Sequence, residues 1–223
     1  MTIALICAMP MELKPLVKKL GLTKAGNHRV GDGVVAIYTG MGTELATKST
    51  EALFDAVPDI ERVVVFGITG AVDDETEIGQ LIVPEKVVNS ETGAEFTPEP
   101  DPRAKGVMWT TNVITPAHEL PPLIERGVVS LDMETAAIAQ ACEAVGVPWT
   151  VFRAISDRAT EGGTDDEVFH LAKMDGTPDP KAIARYVLRH PGKIPGMAKM
   201  GKDATLATKN AAAAAISAVR STG

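Results

Sequence analysis

Short runs of uninterrupted apolar residues recur along this 223-residue chain and alternate with segments of helical spacing. The clearest runs are residues 3–8 and 34–38, and a further strand is predicted at residues 62–66, where four apolar residues follow Arg62. Strands buried on both faces have this pattern, which is typical of the centre of a parallel sheet. Apolar residues at positions 13, 16, 17 and 20 predict a first amphipathic helix. We therefore predict an α/β fold, a single three-layer α/β/α domain over residues 1–223 with a central mixed, mostly parallel sheet.

The remaining elements follow from the same two patterns. Further strands are predicted at residues 80–88, 107–114, 128–132 and 149–156, and further helices at residues 119–125, 133–145, 178–189 and 199–220. Turns or loops are predicted at Gly67–Gly70, in the proline-rich residues 89–105 and in the glycine-rich residues 160–166. The alanine run 211–215 predicts a surface or interface helix, because alanine favours helices and has little side chain to bury.

Charge and composition exclude several classes of protein. The net charge of −7 argues against a reader of nucleic-acid backbones, which needs a basic face. The apolar run 3–8 is too short for a signal segment or a membrane span, so we expect a soluble, cytoplasmic protein without a membrane partner. Cys7 and Cys142 lie in apolar contexts and are predicted to be reduced, buried thiols.

No cofactor or metal is predicted. The four histidines are scattered without metal-ligand spacing, and no Cys/His cluster suggests zinc. The glycines of Gly40-Met41-Gly42 and Gly67-Ile68-Thr69-Gly70 match neither the dinucleotide fingerprint nor a phosphate-binding P-loop. Tight turns account for both motifs, although each also allows a close approach to the backbone.

Three acidic residues follow predicted strands. Glu12 comes shortly after the first strand, Glu134 follows the strand that ends at Asp132, and Asp157 follows the strand over residues 149–156. Parallel α/β sheets bind ligands in a crevice at the carboxyl ends of their strands. These carboxylates therefore predict an acid/base site that faces a small molecule.

Each carboxylate has a structural alternative to its chemical role. Burial of Asp157 would raise its pKa and make it a general acid, whereas a simple helix cap is the alternative. Glu134 begins a predicted helix, whose dipole would keep it ionised and able to accept from two ribose hydroxyls, or it only compensates that dipole. Glu12 could deprotonate a water, or it could only compensate the dipole of the first helix. Arg153 lies inside a buried strand and needs either a structural partner or a ligand anion.

Four motifs together resemble a known family. They are Met9-Pro10-Met11-Glu12, Thr39-Gly40-Met41-Gly42, Asp132-Met133-Glu134 and Arg153-Ala154-Ile155-Ser156-Asp157. In this order, over residues 1 to about 159, the chain resembles the purine/uridine phosphorylase superfamily, and within it the methylthioadenosine/S-adenosylhomocysteine nucleosidases. The last 60 or so residues are similar only loosely.

The resemblance implies a role for each motif. Glu12 would activate the attacking water, Glu134 would hold the ribose hydroxyls, and Met133 would pack beside the ribose. Asp157 would donate a proton toward N7 of the purine, assisted by Ser156. A leaving base needs an acid, and water needs a base, as in other glycoside hydrolysis.

Further substrate contacts are predicted at Arg153, Thr69, Gly70 and Ile114. Ile68 followed by Thr69 stands where the nucleosidases usually have a serine. The resemblance also implies a homodimer whose partner helps to close the pocket, and a place in methionine salvage.

The predicted function is hydrolysis of the N-glycosidic bond of a purine nucleoside. A phosphate-dependent phosphorylase is the first alternative; Glu12 argues against it because a carboxylate beside the nucleophile repels phosphate, and no early Gly-x-Pro-x-Arg loop is present. A non-catalytic nucleoside-binding protein is the second alternative, although binding alone requires neither a buried acid nor a water base.

Overall fold

The computed structural model describes residues 1–158, 171–173 and 177–221. Within them, eleven strands form one sheet. In chain order the strands are β1 (Thr2–Cys7), β2 (Thr23–Ala25), β3 (His28–Gly31), β4 (Val34–Tyr38), β5 (Ile60–Ala71), β6 (Leu81–Ile82), β7 (Lys86–Asn89), β8 (Glu95–Phe96), β9 (Val107–Thr110), β10 (Val128–Asp132) and β11 (Trp149–Arg158). The predicted loop over residues 160–166 lies outside the described residues.

The sheet is mixed, with its parallel strands at the centre. The spatial order is β2-β3-β4-β1-β5-β10-β9-β7-β8, while β11 pairs with β5 and with β6. The pairs β1/β4, β1/β5, β5/β11, β9/β10 and β7/β9 are parallel. Strand β5 contacts β1 and β11 and pairs antiparallel with β10 at its far end, so it brings the ends of three other strands together.

Helices cover both faces of the sheet. They are α1 (Pro10–Lys19), α2 (Thr43–Ala56), α3 (Leu120–Glu125), α4 (Thr135–Val145), α5 (Pro180–Arg189) and α6 (Ile194–Arg220). Leu53 of α2 and Ile138 of α4 belong to one buried apolar cluster, whereas Leu16 of α1 and Ala215 of α6 belong to another. Alternate residues of β1 and β4 enter the two clusters, as the strand period requires. The predicted three-layer α/β/α fold is confirmed.

The predicted turn at Gly67–Gly70 is wrong, because these residues continue β5. They pair with β11 from Arg153↔Gly67 to Asp157↔Gly70. Gly67 has φ +152, and a Cβ there would collide with the carboxylate of Glu12 and lie 2.9 Å from a guanidinium nitrogen of Arg153. Glycine is therefore required here by the close approach of two site side chains, not by a reversal of the chain.

Other boundaries differ in ways that local chemistry explains. The strand predicted at residues 80–88 is split around Pro84 into β6 and β7, because proline supplies no backbone donor. The strand predicted at residues 107–114 stops at Thr110, and the loop over residues 89–105 includes the short β8. The hairpin β2–β3 was not predicted, since it has no apolar run.

The alanine-rich helix is not a surface element. Helix α6 begins at Ile194, and Ala207, Ala211, Ala212 and Ala215 on it are at most 1% exposed. It packs against β5, β11 and α1. The small side chains let this helix approach the sheet closely, so its contribution comes from tight packing and not from large apolar groups.

Cys7 and Cys142 are buried and form no disulfide with each other or with any described residue, which confirms the predicted thiols. Among the described residues, no helix is long and apolar enough to cross a membrane.

Candidate active site

A cavity of about 660 Å³ opens where β1, β5, β10 and β11 end. Every residue that the sequence predicted for the site lines it: Glu12, Thr69, Gly70, Ile114, Met133, Glu134, Arg153, Ser156 and Asp157. These residues are far apart in the chain, and the order of the strands in the sheet brings them together. The cavity thus lies at the carboxyl edge of the parallel strands, as expected for an α/β protein.

Glu12 is held by backbone donors from the segment between β1 and α1 and from β5. It lies in the first turn of α1, where its Oε2 accepts from the amides of Ala8 (2.9 Å) and Met9 (2.8 Å). Its Oε1 accepts from the amide of Ile68 on β5 (2.7 Å). The side chain is fully buried, and this burial raises its pKa, with Arg153 and the three amides opposing the effect. Glu12 is therefore a fixed carboxylate with increased basicity at the cavity wall.

Arg153 has a structural partner and also faces the site. Its guanidinium is 1% exposed and donates to Asp132 Oδ2 at 2.7 Å. It also donates to the carbonyl of Ile68 at 3.1 Å and approaches Glu134 Oε2 at 3.5 Å. The sequence left open whether Arg153 is structural or faces the site. Arg153 has a structural partner and also lines the cavity.

Asp132 is the functional residue that sequence reasoning missed. Besides Arg153, it accepts hydrogen bonds from the hydroxyl of Thr110 at 2.6 Å and from the amide of Thr135 at 2.8 Å. It therefore anchors the start of α4 and neutralises the buried arginine at the same time. The signal was only partial: an arginine in a buried strand requires an acid, and Asp132 ends a predicted strand, but which strand end faces Arg153 depends on the order of strands in the sheet.

Glu134 lies at the N-cap position of α4, but its side chain makes no capping bond. Its Oε1 instead accepts from the amide of Gly42 at 2.9 Å. Burial raises the pKa of Glu134 to about 7, and the nearby charge of Asp132 adds to this effect, against the opposing influence of Arg153. Burial therefore opposes the effect of the helix terminus, which was predicted to keep Glu134 ionised, and brings loss of its proton close to neutral pH.

Ser156 and Asp157 are placed by an irregularity in β11. The register with β5 shifts between Ile155 and Asp157, and such a bulge redirects side chains. The hydroxyl of Ser156 donates to Asp157 Oδ1 in a short hydrogen bond. A Cβ on Gly70 would lie 3.3 Å from Asp157 Oδ2, so the glycine leaves room for the carboxylate. Asp157 is half-buried, less enclosed than the sequence predicted.

The remaining wall is aliphatic and rich in methionine. Met133 and Ile114, both predicted, are joined by residues that sequence reasoning did not assign to the site, among them Met9, Met41, Val113 and Met200. Thr69, also predicted, lines the cavity and donates its hydroxyl proton to the carbonyl of Leu131 at 2.7 Å, which leaves its oxygen able to act only as an acceptor toward a ligand. Met200 comes from α6, whose contact with the site had no sequence signal.

Comparison with known proteins places this chain in a family. The sequence model of the phosphorylase superfamily matches residues 2–123 and 105–189. Together these segments span well over half of the chain. The protein belongs to the phosphorylase superfamily, which confirms the resemblance seen in its motifs.

Individual proteins are similar to this chain in sequence or in fold. A 5′-methylthioadenosine/S-adenosylhomocysteine nucleosidase from Chromohalobacter salexigens is 27% identical over 204 residues, covering 70% of this chain and 84% of the relative. A crystal structure of the 5′-methylthioadenosine/S-adenosylhomocysteine nucleosidase from Helicobacter pylori has a TM-score of 0.72 at 18% identity. The match covers 99% of this chain and 98% of the Helicobacter chain. The futalosine hydrolase of Helicobacter pylori has a TM-score of 0.66 at 18% identity, with 94% of each chain covered.

Proposed function

We propose that this protein hydrolyses the N-glycosidic bond of a purine nucleoside and releases the free base and the ribosyl sugar. The observation that carries the proposal is the arrangement of three carboxylates in three different settings around one cavity. Glu12 is fixed by backbone amides, Glu134 lies beside Arg153, and Asp157 is bonded to a hydroxyl. The relative from Chromohalobacter salexigens is a 5′-methylthioadenosine/S-adenosylhomocysteine nucleosidase, which supports the same reaction.

The roles follow from the surroundings. Oε1 of Glu12 accepts one hydrogen bond from the described residues, so it keeps a lone pair that can take a proton from water. The water oxygen then bonds to C1′ of the ribose while the C1′–N9 bond breaks. The electron pair of the C1′–N9 bond passes to the purine, which takes a proton at N7 from Asp157. Ser156 orients that acid, and ionised Glu134 accepts from the ribose hydroxyls.

The charge of the cavity favours water over phosphate as the nucleophile. Of the described residues that line it, four are carboxylates, namely Glu12, Asp132, Glu134 and Asp157, and Arg153 is the one cation. That cation is already paired with Asp132 at 2.7 Å. A phosphate dianion would enter a cavity of excess negative charge without a spare positive partner, which is unfavourable at low dielectric.

A binding protein without catalysis would have little use for this arrangement. Glu12 and Glu134 are buried at a desolvation cost that raises the pKa of each. A neutral nucleoside can be bound by amides and hydroxyls without that cost. The burial of two carboxylates therefore supports acid/base chemistry.

The substrate that we propose is a purine nucleoside with an uncharged 5′ substituent, such as methylthioadenosine. Met9, Met41, Val113 and Met200 provide an apolar wall that suits an alkylthio group. The Helicobacter nucleosidase structure holds a pyrrolopyrimidine ligand with an alkylthio-type arm. Futalosine is the second candidate, because the Helicobacter futalosine hydrolase has a similar fold.

A panel of nucleosides tests this proposal. Methylthioadenosine, S-adenosylhomocysteine, futalosine, adenosine and inosine would each be incubated with the protein, with and without phosphate, and the base and sugar products separated by chromatography. We expect free purine and free ribosyl sugar at the same rate in both conditions. Turnover that requires phosphate would support the phosphorylase, and binding without turnover would support the binding protein.

We also propose that the protein is a homodimer whose partner narrows the cavity mouth. Val113 lines the cavity and is 69% exposed, an unusual position for a large apolar side chain beside a catalytic site. Glu91, in the proline-rich loop, accepts from Asn112 at 2.9 Å, so that loop reaches the same mouth. A partner packed there would cover Val113 and exclude water.

A further inference from the structure

A second cavity, of about 670 Å³, lies at the edge of the sheet formed by β2 and β3. We call it the edge cavity. It is formed by the hairpin β2–β3, the strand β4 and the helices α1 and α2, and it includes Lys24, Arg29, Ala36, Tyr38 and Lys48. It shares no lining residue with the active-site cavity.

The edge cavity is cationic in an acidic protein. Lys24, Arg29 and Lys48 line it together with His28, and no acidic side chain is among its described lining residues. Lys48 is already paired with Glu44 at 2.6 Å, so Lys24 and Arg29 are the cations that matter for a ligand. The chain as a whole has a net charge of −7. The active-site cavity has the opposite character, with four carboxylates and one arginine. Two cavities of nearly equal volume therefore differ in the sign of the charge that they attract.

Two of the cations are forced together by the sheet. Lys24 on β2 lies directly opposite Arg29 on β3, and Arg29 lies directly opposite Ala36 on β4. Residues opposite each other in antiparallel strands have Cβ atoms about 5 Å apart on the same face, where like charges are destabilising. Neither Lys24 nor Arg29 forms an ion pair with a described residue. An anion bound between Lys24 and Arg29 would reduce the repulsion between their charges.

The surface beside this pair is apolar. Ala36, opposite Arg29, is fully buried and offers no surface to a ligand, but Tyr38 lies two residues beyond it on the same face of β4 and is 41% exposed. The cationic pair and the exposed tyrosine ring together fit an anion with a hydrocarbon or aromatic body and do not select for a bare inorganic ion.

We propose that the edge cavity is a binding site for a small organic anion, such as a carboxylate, sulfonate or phosphate ester. Its charged group contacts Lys24 and Arg29, and its apolar body packs against the exposed ring of Tyr38. The proposal does not rest on the nucleosidase assignment, because the two cavities have separate linings.

Fluorescence titration with 8-anilinonaphthalene-1-sulfonate, an aromatic sulfonate, tests the proposal. The doubly substituted K24Q/R29Q protein would be compared with the wild type. We expect saturable binding to the wild type and about tenfold or greater weakening in the variant, since two charge-assisted contacts are lost. The melting temperature of the variant should equal or exceed that of the wild type, because repulsion is removed.

The matched control is K14Q/K18Q, which removes two exposed lysines of α1 that do not line the cavity. It should bind the probe as the wild type does. Equal weakening in the two double variants would show a general charge effect and overturn the site. Equal binding by K24Q/R29Q and the wild type, or no saturable binding at all, would also overturn it. If K24Q/R29Q does not fold, K24Q alone serves, with K14Q as its control.

Discussion

At the residue scale, the three site carboxylates differ in what surrounds them, and those surroundings set their roles. Glu12 is fixed by three backbone amides, which place it without competing for its remaining lone pair. Glu134 is tuned by burial and by Asp132. Asp157 stands at a strand bulge, half-buried, where it can reach a ligand. These different surroundings support the proposed roles of similar side chains as base, ribose acceptor and acid.

Replacing Asp157 by Asn should remove most turnover while leaving the fold intact. Asn cannot supply a proton to the leaving purine, and deletion of a general acid costs roughly a hundredfold or more in rate. The measurement is kcat on the best substrate of the panel, with the circular dichroism spectrum as a check of folding. D55N, at an exposed position of α2, is the control and should be fully active. Near-normal turnover by D157N would reduce Asp157 to a structural role.

Glu134 should make the stability of the protein depend on pH. Its pKa is raised from 4.5 to about 7 in the fold, so the folded state holds the proton more tightly than the unfolded chain. Stability linked to this group therefore falls as pH rises from about 4.5 through about 7. The shift corresponds to at most about 3 kcal/mol.

Urea denaturation of E134Q against the wild type measures this dependence. Gln cannot ionise, so E134Q should gain stability relative to the wild type between about pH 5 and pH 8, and E51Q, at an exposed site, should show no such gain. Parallel curves for E134Q and the wild type would mean that Glu134 titrates normally.

At the scale of elements, the ends of β10 and β11 create the site. Asp132 ends β10, and Arg153 lies in β11; both strands pair with β5, which separates them in the sheet. Their contact spans that strand at Gly67–Gly70, where glycines leave room. Sequence patterns predicted β4 and β10 with their correct bounds, because each is an apolar run between turn or polar residues. They did not predict the Asp132–Arg153 pair, which depends on the order of strands in space.

D132N should lower catalytic activity because it changes the charge that surrounds Arg153 and Glu134. Without the Asp132 charge, Arg153 would pair more closely with Glu134, and the pKa of Glu134 would fall, since Asp132 now raises it. We expect a loss of kcat/KM together with a shift of its pH profile to lower pH. D101N, which removes a surface ion pair with Arg103, is the control and should leave the profile unchanged. Lost activity with an unshifted profile would point to a merely structural role.

The alanine helix offers a test of packing. A211L places a large side chain where α6 meets the sheet, whereas A213L places the same side chain at an exposed position of the same helix. Overpacking of a filled core typically costs about 1–3 kcal/mol, so A211L should lower the free energy of unfolding by that amount. A213L should change it little. Equal effects of the two substitutions would contradict the buried placement of α6.

The burial of α6 shows where sequence reasoning fails for physical reasons. Helix propensity predicted the helix, but alanine carries too small an apolar group to signal a core contact. Its neighbours on β5 and β11 are distant in the chain, so only the folded structure reveals the close approach. The same limit hid Met200 from the predicted site.

At the scale of the whole molecule, the fold and the family were both predictable. Alternating apolar strands and helices gave the three-layer architecture, and four short motifs gave the superfamily. The predicted single domain over residues 1–223 and the cytoplasmic location stay predictions.

Light scattering at micromolar concentration tests the proposed homodimer. We expect twice the chain mass, because closed two-fold dimers are the commonest assembly and exposed Val113 flanks the cavity mouth. V113D should weaken both the dimer and turnover, whereas V145D, at an exposed position of α4 that does not line the cavity, should affect neither. A fully active monomer would show that the chain closes its own site.

The identity of the nucleophile is the central claim, and oxygen isotopes test it most directly. The reaction would be run in ¹⁸O-labelled water with and without unlabelled phosphate, and the sugar product examined by mass spectrometry at short times. Unlabelled sugar in the same water serves as the control for exchange. We predict free sugar with one ¹⁸O atom, formed at the same rate in both conditions and well above the exchange control. Unlabelled sugar 1-phosphate, formed only when phosphate is present, would contradict hydrolysis.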